Sequence, residues 1–159
     1  FEEEKARNLE DVPELDPDPA TEGVDWIRID NDRIRHPLAN RAFEHTVWIW
    51  HHCEDLGLLG EDSPEAIHEM VFEVQTLSAK LAGALNSLCY RAIPDGGFVV
   101  ACLKRALKFL ERSLAASEKV LDQELLGTET MQTFRGGLFE IRESMIDLMK
   151  YYRSADTSC

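Results

Sequence analysis

No apolar run in this 159-residue chain approaches the roughly 20 residues that cross a bilayer, so no membrane span is expected. No Cys-x-x-Cys pair occurs among Cys53, Cys89, Cys102 and Cys159, and their wide spacing is not a zinc framework. No Lys/Arg cluster stands out against a formal net charge of −13. Phosphate backbones are bound by basic groups gathered on one face, so nucleic acid is not an expected partner. Gly-x-Ser-x-Gly does not occur, and no glycine-rich loop follows a strand, which removes two common signatures of nucleophilic and nucleotide chemistry. The opening Phe1-Glu2-Glu3-Glu4 has neither the basic start nor the apolar stretch of a signal peptide. Reduced thiols in a chain of this size fit a cytoplasmic location.

What is present divides unevenly. Residues 1–25 carry a net charge of −8, leaving −5 for the rest. Within that first stretch, Pro13-Glu14-Leu15-Asp16-Pro17-Asp18-Pro19 cannot be helix or a paired strand. Ile27 and Ile29 then alternate with charge before the turn signal Asp30-Asn31-Asp32, which suits an extended strap or a short hairpin over 26–35. Residues 1–36 therefore read as an extended acidic arm, 37–153 as the folded domain and 154–159 as a tail.

The folded domain reads as four helices. Pro37 suits the first helical position, and the first helix should end near Gly57. Ala42, His45, Ile49, His52 and Leu56 recur at steps of three and four, which is one helical face. Ser63 is the expected cap of the second helix, whose stripe runs from Ile67 through Leu88 and stops by Pro94. The third helix is expected over 98–126 with Phe98, Cys102, Ala106, Phe109, Leu110 and Leu114 inward and Gly127 as its stop. Thr128 should cap the fourth, whose stripe is Met131, Phe134, Leu138, Ile141, Met145, Leu148 and Tyr152. Gly136-Gly137 inside it costs about 1 kcal/mol per glycine, so a kink or a close helix contact is expected there. Short loops make sequential helices antiparallel neighbours. The expected fold is all-α, an up-and-down antiparallel four-helix bundle with an extended acidic N-terminal arm.

Two sets of residues invite a function. The first helix closes with His51-His52-Cys53-Glu54-Asp55 and the second opens with Glu65-Ala66-Ile67-His68-Glu69. His52 and His68 stand at equal distances from Gly60, so an antiparallel pair brings them level. With Glu65, one helical turn from His68, they form a candidate divalent-metal site, and His51 and His45 stand nearby. The competing reading makes them rim histidines near a helix C-terminus, where positive charge is favoured; His45, in mid-stripe, suits a hydrogen-bonded core histidine. Bridged dimetal bundles use two Glu-x-x-His motifs, and this chain has one. The second set is apolar. Phe43, Val47, Trp48 and Trp50 widen the first helix beyond one stripe, and Trp48, Trp50 and Trp26 are the interface candidates. Cys89 and Cys102 flank the second loop and could face each other as a pair or as core thiols. Gly96-Gly97 suits a tight turn, with an anion cradle as the other reading. Acidic pairs such as Glu54-Asp55 read as solvated charge.

The stretch Phe98-Val99-Val100-Ala101-Cys102-Leu103-Lys104-Arg105-Ala106-Leu107-Lys108-Phe109-Leu110, followed by a glycine turn and a last amphipathic helix, resembles the small bacterial bundles of the 23S rRNA intervening-sequence (S23-like) family. The resemblance spans about Trp48 to Tyr152 and implies a four-helix bundle that tends to be oligomeric. A related retroelement accessory protein is basic and binds nucleic acid; this chain is acidic, so that property is not carried over, and there are no family catalytic residues to transfer. The expected role is a non-enzymatic bundle acting by self-assembly or protein binding. The alternative is a metal-binding bundle using His52, His68 and Glu65.

Overall fold

The computed structural model describes residues 17–30, 33–90 and 95–157. The arm before Pro17, the Asn31-Asp32 tip, Pro94 and Cys159 lie outside them. Four helices form an all-α, up-and-down bundle: α1 (Pro37–Asp55), α2 (Glu65–Leu85), α3 (Gly96–Asp122) and α4 (Thr128–Thr157). Each packs on the next in sequence, and α1 closes the ring against α4 in the loosest of the four seams.

Pro37 opens α1 as its first residue, where its missing N–H costs nothing. His36 caps it: the Nδ1 accepts from Leu38 N at 3.1 Å. Gly57 ends it with φ +71°. Gly57 N donates to Glu54 O and Leu58 N to Cys53 O, both at 2.9 Å, the paired bonds that satisfy the last carbonyls of a helix. Ser63 does not cap α2. The capping position falls to Pro64, with no side-chain bond, and Ser63 Oγ donates instead to Gly57 O at 3.4 Å, tying down the loop.

The third helix departs most from expectation. It stops at Asp122, well before Gly127, because Glu124 takes the left-handed position (φ 54°) that glycine usually fills. Leu125 N donates to Val120 O and Glu124 N to Leu121 O, repeating the bonds at the end of α1. A β-carbon in this conformation costs roughly 1 kcal/mol. Glu124→Gly should therefore raise the unfolding free energy by up to about 1 kcal/mol, read as a higher urea midpoint at unchanged slope. The buried stripe is also rotated from the expected one. Val99, Leu103, Ala106, Leu110, Ser113, Ser117 and Val120 point inward, while Phe98 is 65% exposed. Two buried serines at i and i+4 hid the true stripe from a count of apolar residues. Ser113 Oγ donates to Met70 O of α2 at 3.5 Å, and Arg135 of α4 reaches Ser117, its Nη1 donating to Ser117 Oγ at 2.6 Å.

In α4 the expected stripe is buried from Met131 through Met145, with Tyr152 beyond. The helix is unbroken through Gly136-Gly137, and it runs to Thr157 because no breaker follows Tyr152.

The described part of the arm lies on its own bundle. Asp18 caps a short 3-10 turn, Pro19–Thr21, and its carbonyl accepts from Trp26 Nε1 at 2.7 Å. A two-stranded antiparallel hairpin follows, β1 (Ile27–Arg28) with β2 (Ile34–Arg35), pairing Ile27 with Arg35 and Arg28 with Ile34. Pro17 bridges to Tyr90, and His36 N donates to Asn86 Oδ1. An isolated hairpin is marginal in water, so these anchors to the end of α2 hold it.

Candidate functional site on the first bundle helix

The core face of α1 is Leu38, Ala39, Ala42, Thr46, Ile49 and Cys53. It is turned from the expected stripe, so that His45 and His52 stand at its α4 edge and Leu56 is exposed. Thr46 makes this rotation tolerable: its hydroxyl donates to Ala42 O at 2.8 Å, and Val74 O of α2 lies 3.2 Å away. The two flanks of α1 consequently differ in chemistry.

The α4 flank is an aromatic column. The His45 ring stacks on Phe134 (centroids 5.3 Å apart, 11° between planes) and on Trp48 (5.5 Å), and Trp48 lies 6.2 Å from the His52 ring. His45 Nε2–H donates to Phe134 O at 2.9 Å. Burial holds the His45 imidazole below its ordinary pKa, opposed by that backbone bond and assisted by Arg41, so it stays neutral. The ring lies directly over Gly137, which explains the second glycine of the pair as a close contact between helices. Gly136 faces open space.

The proposed metal ligands are not brought together. His52 Nε2 is hydrogen-bonded to Thr130 Oγ1 of α4 at 3.3 Å. His68 Nε2–H donates to Gly60 O at 3.0 Å in the α1–α2 loop. Each Nε2 is thus engaged with a different element, and Glu65 is exposed at the start of α2. Among the described residues no group of three or more His, Cys, Asp or Glu side chains is placed to hold a metal ion. The roll of α1 directs His52 to Thr130 of α4 and not to α2.

Cys53, Cys89 and Cys102 are free thiols, so Cys89 and Cys102 do not pair. Cys89 Sγ instead contacts Asp25 O at 3.5 Å. Burial pushes the Cys53 and Cys89 thiols up to about 11, which keeps them protonated and unreactive. The anion-cradle reading of Gly96-Gly97 fails for a simple reason: the Asp95 carboxylate already accepts from Phe98 N at 3.2 Å.

The α2 flank of α1 is a groove. A cavity of ≈ 630 Å³ is lined by Phe43, Val47, Trp50, Ala79 and Ala82, with Arg35 at its arm end. The Arg35 guanidinium lies 4.5 Å from the Phe43 ring centroid. A second cavity of ≈ 570 Å³ shares Trp50 and Gln75 with the first and continues to Leu59 and Phe72. Small Ala side chains on α2 opposite large ones on α1 are what leave the groove open. Of the three tryptophans, Trp50 is partly buried in the groove wall, and Trp48 is 36% exposed on the other flank. Trp26 is only 4% exposed and is spent inside the chain, bonded to Asp18 O, which removes it as an interface candidate. Phe72, 62% exposed, takes its place; its position off the α2 core stripe was the available signal.

Among the described residues no helix is long and apolar enough to cross a membrane. No protein-family model, no curated protein and no solved structure matches the chain.

Proposed function

We propose that this protein is a non-enzymatic helical module that works by association, with a second copy of itself or with another protein seated on the α1–α2 face. The observation that carries the reading is a pair of adjoining cavities that share Trp50 and run from Phe43 to Phe72 along the outside of the bundle, the first mainly apolar and the second edged by Glu65, His68 and Glu69. Contiguous exposed apolar surface marks interaction sites. Aromatic side chains partly buried in a groove wall are the usual anchors of such contacts. The S23-like resemblance, with its oligomeric habit, points the same way.

Sedimentation equilibrium at tens of micromolar tests the self-association. The expected result is a mass at least twice that of the chain, falling to the monomer in Phe72→Glu with helix content unchanged, because an unpaired charge inside a buried contact is strongly disfavoured. A wild-type monomer at that concentration rules out self-assembly. A dimer that Phe72→Glu leaves intact places the interface elsewhere.

A further inference from the structure

The outward face of α3 is basic, in a chain whose overall balance is strongly acidic. Lys104, Lys108 and Arg112 stand four residues apart, in one row along the helix, and Arg105 lies beside them, seven residues before Arg112. All four are exposed. Glu111, the one acid between Phe98 and Ser117, is turned to α4, where its Oε1 accepts from Arg142 Nε at 3.0 Å. Among the described residues Lys104, Arg105, Lys108 and Arg112 make no ion pair. Like charges one turn apart repel and weaken a helix, so this row gains from an anionic cover. Phe98, 65% exposed, stands two turns before Arg105 on the same side and adds an apolar contact at the near end of the row.

The chain itself carries a segment of matching chemistry, attached beside this face. Pro17 bridges to Tyr90, just past the end of α2, which is the end of the bundle where α3 begins. The eight residues before it are Leu9-Glu10-Asp11-Val12-Pro13-Glu14-Leu15-Asp16, four carboxylates with no base, and Leu9, Val12 and Leu15 recur at every third position. Lys104 and Arg112 stand eight and sixteen residues into α3, about 12–24 Å from its start. Eight extended residues span about 26 Å, so the segment is long enough to cover the row. Four carboxylates meet four cations, and the interleaved apolar residues have Phe98 to meet.

We propose that the basic face of α3 is an intramolecular docking surface for the chain's own acidic segment, residues 9–16. Exposed ion pairs are individually weak. A tether at Pro17 raises the local concentration of the segment to the order of millimolar, so a few weak pairs suffice. Seated there, the segment neutralises the row and covers Phe98, closing the face to other anionic partners. The proposal is independent of what the α1–α2 groove binds.

Zero-length carbodiimide cross-linking of the intact protein, as an equal mixture of unlabelled and ¹⁵N-labelled chains, tests it by mass spectrometry. Lys104 and Lys108 should link to Glu10, Asp11 or Glu14 of the same copy. Their yield should exceed that of Lys150 by about tenfold or more; Lys150 is exposed on α4 next to Tyr151, at the arm end of the bundle, and measures reach without charge matching. Arg105→Glu/Arg112→Glu keeps both lysines and every carboxylate of the segment, and should lower the yield by about tenfold with circular dichroism unchanged. Links chiefly between differently labelled copies would make a second copy the occupant and overturn the proposal. Equal yield at Lys150, an unchanged yield in the charge-reversed variant, or no link to Lys104 and Lys108 would overturn it as well.

Discussion

Gly137→Ala is expected to destabilise the protein by about 2–3 kcal/mol, while Gly136→Ala, one residue earlier, should stabilise it by up to about 1 kcal/mol. Both glycines lie inside α4, and intrinsic helix propensity favours alanine at each. At Gly136 nothing stands within 4 Å of an added Cβ, so the propensity gain is realised. At Gly137 the added Cβ would meet the His45 ring, with Nδ1 and Nε2 both at 2.8 Å and Cε1 closer still. The ring has no easy escape. It is stacked between Phe134 and Trp48 and fixed by its bond to Phe134 O, so moving it breaks the column that fastens α1 to α4. A change of this size shifts the melting temperature of a chain this long by several degrees, about 2–4 °C per kcal/mol. A double-mutant cycle isolates the cause: in a His45→Ala background, Gly137→Ala should cost little, because the obstructing ring is gone. If Gly137→Ala is as stable as Gly136→Ala in the wild-type background, the ring can slide aside and His45 does not lock the seam.

This contact shows how far the sequence could be read. The pair of glycines announced either a kink or a close approach, and periodicity placed His45 in mid-stripe, yet nothing in one dimension joined the two. Elements were legible wherever punctuation was strong. Pro37 and Gly57 bracket α1 because each is suited to a backbone position that other residues occupy at a cost. The end of α3 was missed because Glu124 does the work of a glycine, which no propensity rule predicts. Its stripe was misplaced because Ser113 and Ser117 are buried, a choice explained only by partners on other helices: Met70 O of α2 accepts from Ser113, and Arg135 of α4 donates to Ser117. The histidine cluster failed for a related reason. Loop length fixes which residues stand level, but the roll of α1 about its axis depends on the whole core, and a small roll carried His52 from α2 to Thr130. One signal was overlooked. A proline at the first helical position makes the residue before it the cap, so Pro37 identifies His36.

That cap makes the protein acid-sensitive in a defined window. His36 is neutral in the folded state, with its pKa lowered to about 4 by burial, against an ordinary value near ~6.5 in the unfolded chain. The unfolded state therefore binds the proton more readily. The stability this residue contributes is fully present above pH ~6.5 and is lost progressively as the pH falls toward ~4, by up to about 3 kcal/mol. Protonation also destroys the acceptor that caps α1, so loss of the charge-neutral ring and loss of the Leu38 bond occur together. His45, also lowered by burial, adds in the same direction. Asp25 works against them: burial and then neighbouring Asp18 raise its carboxyl above the ordinary value, so its protonation favours the folded state as the pH falls. Urea unfolding at a series of pH values from ~7.5 to ~4.5 should show the free energy falling throughout. His36→Asn should flatten most of that slope, because asparagine also caps a helix and does not titrate in this range. A slope equally steep in His36→Asn would assign the acid sensitivity to other groups and leave the His36 ring accessible to protons in the folded state.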